Sequence, residues 1–467
     1  MPRSCRSTQT LRAARDRLQG VRARSASSLR SRRGGAICGA ARRLLWLGSV
    51  FHRVWFAALL LAVPVSRAQA EPARLDLQTV MRRAAEVAPS LGPPTAAVRG
   101  AQEQRQAADV TFSTPPRLEL ALGPRFLNGS NDARLEASVG AWQDVSLGGL
   151  GAARGRLAQA ASTEAERRRG LAVIDARAAA ALAWVDARLA FELIRIRDAS
   201  LENARQLEAT ARARVDAGKA LPSELSLAEV IAGRADAELL AAQGKRFVAE
   251  ANLRWWVGLK PQDPIELAGE LEVSDAPFDL PAALRRARGQ QPDVRLAAAS
   301  AERAARAADA VAASGRPFLS LGPSVLHEGT GDWILLGRIS VPLPTVNPAG
   351  FEAARARADS WVAQAQVAEL SAVTGGQIVL AVEEREHTRQ LRGRLRDNVV
   401  AHAREALSQA LARYQAGSED IGIVLQARRE ALLGEEEWAA AAADVRRADI
   451  RLMRLLNLEP SWLGGTP

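Results

Sequence analysis

Apolar residues recur at steps of three and four along two very long stretches of this chain. Residues 152–216 contain no proline and keep this spacing throughout, and a similar stretch covers about 351–416. The spacing predicts amphipathic helices, and at ~1.5 Å per residue the first helix would be about 98 Å long. Helices about half as long are predicted at about 223–257 and 419–456. Half-length helices stacked end to end would pack along each long helix.

In two regions between helices, every second residue is apolar instead of every third or fourth. Each region contains two such alternating runs, separated by a turn rich in Asn, Gly or Asp. In the first region Leu118, Leu120 and Leu122 alternate with polar or small residues. The pattern predicts two β-hairpins, and hence four strands in a chain that is otherwise almost wholly helical. The predicted strands and turns lie at residues 118–122, 128–132 (turn), 135–141, 318–325, 327–332 (turn) and 333–341.

The chain contains the same unit twice. The segment Arg214–Pro261 recurs as Arg413–Pro460, 199 residues later and without a gap, which predicts one structural unit used twice. A helix is also predicted before each β-hairpin. The first follows Leu75–Leu77 and ends near Val110, and the second follows Phe278–Leu280 and ends near Ala313. The predicted domains are a leader (1–70), a first repeat (71–261), a polar linker (262–277), a second repeat (278–460) and a tail (461–467).

Each repeat contains a helical hairpin with a tight turn at its end. The two turns follow the related motifs Arg214-Val-Asp-Ala-Gly218 and Arg413-Tyr-Gln-Ala-Gly417. Glycine is favoured just past a helix end because it adopts the left-handed backbone conformation at low cost. Gly218 and Gly417 are therefore the predicted turn residues of two hairpin ends, here called the first tip and the second tip.

The basic character of the chain is confined to its leader. The whole chain has a formal net charge of +11, but residues 1–70 contain fourteen Arg and one acidic residue, so the remainder is weakly acidic. Nucleic acid is therefore not an expected partner. The leader has arginines before the apolar run Val54–Val65 and ends in Ala68-Gln-Ala70, which predicts a secretory signal peptide. Both cysteines lie within it, so no disulfide or thiolate metal site is expected in the mature chain.

Four strands alone leave two open sheet edges, which proteins normally pair or protect. The strands are therefore expected to complete a larger sheet with other copies of the chain. The duplicated half, the β-hairpin between a short and a long helix, and the Arg-x-x-Ala-Gly tips resemble the TolC family of outer-membrane efflux channels over residues 72–460. The segments Gln143–Gly149 and Val341–Pro344, which lead into the long helices, look most like the heavy-metal and cation branch of that family.

This resemblance implies a mainly α fold with a small membrane β-barrel. Three chains would each contribute four strands to a twelve-stranded barrel in the outer membrane, because membrane strands must close. The long coiled-coil helices would continue as a trimeric α-barrel into the periplasm. The implied function is a passive exit duct. Its implied partners are a periplasmic adaptor, an inner-membrane pump of the RND type and outer-membrane lipid.

The resemblance also implies an acidic constriction at the second tip. The two aspartate positions usual in the family fall on Ile423 and Gln426 here. We therefore expect Glu419 and Asp420, nearer the turn, to replace them. Glu224 in the first tip matches an acidic position of the family. Glu419, Asp420 and Glu224 are the candidate periplasmic gate residues, and weaker block by multivalent cations is expected.

The sequence contains no recognisable catalytic, cofactor or metal constellation. His387 and His402 lie fifteen residues apart, too far to share a metal, and His327 has no second histidine at metal-ligand spacing. Trp142 and Trp333 lie in predicted strands, where a membrane interface and ordinary packing explain them equally well. A periplasmic enzyme therefore has no supporting motif.

Two other functions compete with the efflux channel. A duct for type I protein secretion belongs to the same class and has the same predicted elements. A periplasmic coiled-coil adaptor would have one helical hairpin flanked by lipoyl-like β segments. The two hairpins and two strand pairs of this chain argue against the adaptor.

Overall fold

The computed structural model describes residues 73–108, 114–126, 133–146, 148–271, 279–287, 290–343 and 349–459. Several predicted features lie outside these residues: the leader (1–70), the turn at 128–132, Phe278 and the tail (461–467).

The two repeats share the order of a short helix, a second helix, two strands, a long helical stretch and a shorter helix. The first contains β1 (Ala73–Leu75), α1 (Leu77–Val87), a 3-10 turn (Pro89–Leu91), α2 (Gly92–Ala108), β2 (Arg117–Phe126), β3 (Ala133–Ser146), α3 (Leu150–Asp216) and α4 (Pro222–Trp256), and β4 (Ile265–Leu267) follows it. The second contains α5 (Leu280–Ala287), α6 (Pro292–Ser314), β5 (Phe318–His327), β6 (Trp333–Ser340), α7 (Gly350–Arg394), a π-helical turn (Leu395–Val400), α8 (Ala401–Gln415) and α9 (Ile421–Leu456). The predicted long helices, half-length helices and four strands are confirmed.

The helix before each β-hairpin is broken, so the prediction of one continuous helix is wrong. In the first repeat Ala88 has an extended ψ of 131° before Pro89, and the helix resumes one turn later. In the second repeat Gln291 has a ψ of 128° before Pro292, where α6 begins. The ring of a proline clashes with a helical conformation of the residue before it. Each helix therefore ends and starts again.

A small parallel sheet joins the start of the first repeat to the segment that follows it. β1 pairs with β4, and Leu75 lies opposite Leu267. Trp184, buried in the middle of α3, donates its indole N–H to the carbonyl of Leu75 over 3.0 Å. Residues 262–277, expected to be a polar linker, thus contain a strand. A run of three residues is too short to show the alternation from which strands are predicted.

The helices lie side by side in a row. Next to the four-stranded sheet, the neighbours follow the order α2, α3, α6, α7, and toward the tips the order is α4, α3, α9, α8. The half-length helices α2 and α4 both pack along α3, as their lengths predicted. Within the described part of the chain, the row ends with α2 and α4 on one side and with α7 and α8 on the other.

The two long helices differ in one place. α3 is continuous over 67 residues, whereas its counterpart is interrupted by the π-helical turn between α7 and α8. Gly434 of α9 packs against this turn, and a Cβ atom on Gly434 would lie 3.0 Å from Cγ1 of Val399. The wider turn thus approaches α9 where a glycine leaves room for it.

Strands β2, β3, β5 and β6 form one antiparallel sheet in that order. The order matches that of the helices α2, α3, α6 and α7, to which the strands are connected. Leu120 lies opposite Val139, Val139 opposite Val325, and Val325 opposite Leu335, so one row of residues crosses all four strands. β2 and β6 are the edge strands, and neither has a second partner among the described residues.

Candidate functional site

One face of the four-stranded sheet consists almost entirely of exposed apolar side chains. Residues directly opposite each other in paired strands point to the same side of a sheet, so the register assigns each side chain to a face. On this side, here called the apolar sheet face, Leu335 is 75% exposed. Its large exposed residues are Leu118, Leu120, Leu122, Phe126, Leu135, Val139, Leu321, Val325, Trp333, Leu335 and Ile339.

The opposite side, here called the polar sheet face, contains every Arg, Asp and Glu of the four strands. Arg117 forms an ion pair with Asp144, which also accepts a hydrogen bond from Ser320. Arg125 Nη1 lies 3.2 Å from Oε2 of Glu328 in the β5–β6 turn. The charged strand residues of this face are Arg117, Glu119, Arg125, Arg134, Glu136, Asp144 and Arg338.

The distribution of polarity is the reverse of that in a water-soluble sheet, which turns its apolar face toward a core. β2 and β5 each contain 10 residues, the length of a strand that crosses a bilayer at a tilt. Strands that contact lipid alternate in this way, with apolar residues outward and polar residues toward the lumen. The apolar sheet face is therefore suited to contact lipid, and the polar sheet face to contact water.

The two strand tryptophans lie on opposite faces of the sheet. Trp333 is 73% exposed on the apolar sheet face and stacks on His327 with ring centroids 4.6 Å apart. Trp142 lies on the polar sheet face, and Cζ of Arg338 is 5.2 Å from the centroid of its ring. Of the two residues considered for a membrane interface, only Trp333 lies on the face that suits one.

At the other end of the long helices, the only tyrosine of the chain connects the two tips. Tyr414, at the end of α8, is 0% exposed. Its hydroxyl donates a hydrogen bond to Oε2 of Glu224 on α4 over 3.2 Å. Arg214, at the end of α3, donates to the carbonyl oxygen of Tyr414 over 2.8 Å, and its Cζ lies 4.3 Å from the tyrosine ring centroid. The second tip is thus bonded to both helices of the first.

Burial, and then the negative charge of Glu224, raise the pKa of the Tyr414 hydroxyl. The tyrosine therefore stays neutral at physiological pH and remains a hydrogen-bond donor. An apolar cluster beneath it draws on α3, α4, α8 and α9, so all four helices meet at the tips. Its buried members are Leu207, Ala211, Ala228, Ala410, Tyr414, Ile421 and Val424.

The three predicted gate carboxylates have different surroundings. Glu224 accepts the tyrosine hydrogen bond. Asp420 is the N-cap of α9, and its Oδ1 accepts a hydrogen bond from the backbone N–H of Gly422 over 2.7 Å. Glu419 has Oε2 3.9 Å from Nη1 of Arg413. Both Glu224 and Asp420 act electrostatically on Tyr414, so the structure brings these two carboxylates to one place, whereas Glu419 faces an arginine.

The two tip turns have the same backbone geometry. Gly218 has a φ of 69° and Gly417 a φ of 80°, both left-handed. In each turn the residue after the glycine donates its N–H to the carbonyl of the arginine five positions earlier, over 2.8 Å in the first tip and 3.0 Å in the second. Ile423 and Gln426, where the resemblance led us to look for aspartates, are both exposed and uncharged.

Sequence reasoning missed Tyr414. Its counterpart in the first repeat is Val215. The two repeats differ at this position, three residues before the tip glycine. An alignment of the two repeats would have shown that difference.

No group of three or more His, Cys, Asp or Glu that could hold a metal ion occurs in the described ranges. In the same ranges, one helical stretch, Gly350–Gln415, is long and apolar enough to cross a membrane by length and composition alone. It has 66 residues, about three times the ~20 that a bilayer needs. Only 17% of its apolar window is buried, so we interpret it as a helix with an uncovered apolar side.

Solved structures of outer-membrane channels share this fold. OprN matches with a TM-score of 0.68 at 20% identity, over 82% of this chain and 90% of that chain. CusC matches with 0.69 at 17% identity, over 84% and 95%, and VceC of Vibrio cholerae with 0.67 at 19% identity, over 82% and 97%. No protein-family model and no curated protein sequence matches the chain. The chain therefore has the fold of these outer-membrane channel proteins.

Proposed function

We propose that this protein is the outer-membrane channel of a tripartite efflux system, a passive exit duct for substrates that an inner-membrane pump expels. The single observation that carries the proposal is the sheet with its apolar face exposed and its charged residues on the other side. A polypeptide surface of this kind is stable where hydrocarbon covers one face and water the other.

Closure of the sheet requires further copies of the chain. Strands can cross a bilayer only when every backbone group is paired, so the open edges of β2 and β6 must meet other strands. Three copies supply twelve strands, an even number within the range of known barrels. We therefore infer a homotrimer with cyclic symmetry.

The helical row supports the same closure. Its ends lie on the same two sides as the sheet edges: α2 with β2, and α7 with β6. Both ends expose large apolar side chains, such as Phe247 and Trp255 on α4 and Trp361 and Leu380 on α7. A head-to-tail contact between unlike edges closes into a ring when the rotation is right. Sheet and helices would then close together as a β-barrel and an α-barrel.

The remaining parts of the proposal follow from this role. Residues 1–70 would direct export, and the mature chain would begin near Glu71. The tips would reach a periplasmic adaptor and, through it, a pump of the RND type. CusC, OprN and VceC match the chain with TM-scores within 0.02 of one another, so the fold favours no branch and the heavy-metal assignment rests on sequence resemblance alone.

A type I secretion duct is the second candidate, since it requires the same exit channel. Genes for an adaptor and a proton-driven pump beside this one would favour efflux, and genes for a secreted protein and an ATP-driven transporter would favour secretion. The coiled-coil adaptor is disfavoured because the channel structures match more than four-fifths of the chain.

Location and assembly are tested on the protein expressed from its full gene. We expect it in the outer-membrane fraction, with its N-terminus near Glu71 and the mass of three chains in detergent. Recovery as a soluble monomer with Met1 intact would refute the proposal.

The gate is tested by recording from purified trimers in planar bilayers. Three copies of Glu419 and Asp420 near the pore axis would focus a negative potential that attracts cations. The double variant Glu419→Gln with Asp420→Asn should therefore lower the cation preference. Asparagine is chosen because its side chain still caps α9, so the fold of the tip is kept.

The matched control is Glu430→Gln, which removes an exposed carboxylate about two and a half turns into α9. Glu430 lies ten residues from Asp420, or about 15 Å along the helix axis. Exposed charges are screened within about 8–10 Å at physiological salt, so this variant should conduct like the wild type. Unchanged selectivity in the double variant would move the constriction elsewhere, and Glu224→Gln is then the next variant to record.

A further inference from the structure

A groove runs along the first turns of α3, next to the four-stranded sheet. Its volume is about 720 Å³, which is within the range of small-molecule sites. A stripe of α3 forms its floor, and α2 and α6 form its walls. Residues that line this α3 groove include Ala108, Gly151, Gly155, Arg156, Glu302 and Arg306. All of them belong to one chain, so the groove does not depend on how copies assemble.

The contacts of α3 show on which side of the helical row the groove lies. Ala153 and Glu164 contact α6, whereas Arg169 contacts α2, and the buried Ala158 points the same way as Arg169. At 100° per residue, these two directions are about 140° apart around one side of α3 and about 220° around the other. Arg156, on the floor of the groove, lies in the wider gap.

A row of helices that curves into a ring has its wider gaps on the convex side. The α3 groove therefore lies on the outer side of the proposed barrel, which is also the side of the apolar sheet face. In this respect the inference rests on the proposed function. Only two residues separate the end of β3 at Ser146 from Gly149, the N-cap of α3, so the groove begins where the apolar sheet face ends.

Small residues leave the backbone of α3 uncovered on the floor of the groove. A Cβ atom added to Gly151 or to Gly155 would have nothing within 4 Å. A ligand can therefore reach the helix backbone between the walls. The same open space means that a larger side chain at Gly155 would fill the groove without a clash.

The positive charge of the groove lies close to the sheet. Arg156 is exposed and has no ion pair or hydrogen bond within the part of the chain that the structure describes. It lies six residues into α3, or about 9 Å along the axis. Side chains of a helix lean toward its N-terminus, so Arg156 leans toward the sheet. On the opposite wall, Nε of Arg306 lies 2.7 Å from Oε1 of Glu302, which holds this second guanidinium in place.

From this arrangement we propose that the α3 groove binds the headgroup of a membrane phospholipid. The phosphodiester lies between Arg156 and Arg306, because guanidinium groups form charge-assisted hydrogen bonds with phosphate oxygens. The acyl chains continue along the apolar sheet face. A membrane lipid fits better than a soluble phosphate ester, since a charged groove and an apolar surface are continuous here.

The test measures binding of dioleoylphosphatidylglycerol to detergent-purified protein by native mass spectrometry, with one bound lipid per chain expected. An arginine near a membrane surface favours phospholipid by about fivefold, so Arg156→Gln should lower the affinity by about that factor. Arg167→Gln is the matched control. Arg167 is also exposed on the outer side of α3, but it lies eleven residues, or about 16 Å, farther from the sheet, so the control should bind like the wild type.

A second pair of variants tests the groove itself. Gly155→Leu should reduce lipid binding because the leucine fills the floor. Gly170→Leu, farther along α3, also has nothing within 4 Å of an added Cβ atom and should bind lipid normally. Leucine favours a helix over glycine, so neither variant should unfold at a lower temperature than the wild type. Normal lipid binding by Gly155→Leu would refute the groove as the site.

Two further ligands assign the phosphate. Dioleoylglycerol lacks the phosphodiester, so it should bind equally to the wild type and to Arg156→Gln. Such a cycle isolates the arginine–phosphate pairing from any general effect of the substitution. Equal losses of both lipids would overturn the pairing. Displacement of the lipid by inorganic phosphate alone would identify a soluble anion as the ligand and overturn the assignment to the membrane.

Conductance separates this inference from the proposed function. Because the groove lies outside the pore, Arg156→Gln and Gly155→Leu should conduct like the wild type in planar bilayers, and altered ion selectivity would place the groove in the lumen and refute it. Channels that conduct but bind phospholipid equally in all four variants would refute the site and leave the channel intact. Protein that binds phospholipid through Arg156 but forms no channel would support the site and contradict the proposed function.

Discussion

The two helical hairpins have the same order of elements, but they differ where the repeats meet. In the first, α3 is continuous and the N-cap of α4 is Leu221, which makes no side-chain capping bond. In the second, a π-helical turn separates α7 from α8, and Asp420 caps α9. The second tip also has Tyr414 where the first has Val215.

These differences matter for how the two hairpins are held together. Two hydrogen-bonding side chains of the second hairpin that reach the first have no equivalent there. Tyr414 reaches Glu224, and Arg428 of α9 donates to the carbonyl and the hydroxyl of Ser200 over 3.0 and 2.8 Å. The counterpart of Arg428 in the first repeat is Glu229. Shared features therefore determine the fold, and unshared features determine how one hairpin is held against the other.

The largest effect is expected from Tyr414→Ala. Truncation of a fully buried aromatic side chain costs about 3–5 kcal/mol, and here it also removes the bond to Glu224. We expect this loss in the local opening free energy of the tips, measured by hydrogen exchange. Val215→Ala, the matched change in the first repeat, removes a half-buried side chain and should cost about 1 kcal/mol. Equal costs would show that the tips are held symmetrically.

Tyr414→Phe separates the hydrogen bond from the packing and should cost about 1 kcal/mol. The folded pKa of the hydroxyl is raised above the unfolded value of about 10. The neutral hydroxyl thus stabilises the tip fully below that pH, and the stabilisation is lost as the pH rises through the folded pKa. Wild-type protein should therefore lose tip protection above about pH 10, whereas the phenylalanine variant should not show this step.

The second effect in size concerns the π-helical turn. Leucine at Gly434 would overpack the contact with Val399, at a cost of about 1–3 kcal/mol. Gly233 of α4 is a matched glycine with nothing within 4 Å of an added Cβ atom. Gly233→Leu should therefore stabilise its helix by up to about 1 kcal/mol. The pair is measured by thermal unfolding in detergent. A shift of the same sign in both variants would contradict the close approach of the turn to α9.

The smallest effect is expected at the N-caps. Asp420→Ala removes the bond to Gly422 and should cost about 1 kcal/mol in the second hairpin. Leu221→Asp adds a capping side chain to the first hairpin and should stabilise it by a similar amount. Exchange protection of the first turns of α4 and α9 reports both changes. If Leu221→Asp had no effect, the backbone N–H groups in the first turn of α4 would not need a side-chain cap after Leu221 and Pro222.

Much of the architecture was predictable because its signals are local. A glycine after a helix end, a change of apolar period from 3.6 to two, and a repeated sequence each act through neighbouring residues. The strand pairs, the long helices and the packing of shorter helices along them were all correctly predicted. The two faces of the sheet follow from the same alternation, which separates Leu118 from Arg117 and Glu119.

Other features required the tertiary structure, because they depend on residues that are far apart in the chain. β1 and β4 are three residues each and become strands only by pairing with each other. Tyr414 meets Glu224 across 190 residues, and Trp142 rests on Gly322 across 180. The helix breaks at Pro89 and Pro292 are local, and sequence reasoning could have predicted them. By itself, the sequence determined the long helices, the half-length helices after the tips and the four long strands, and their order. The tertiary structure decided which side chains meet between them, because each such contact depends on register and packing that no local pattern encodes.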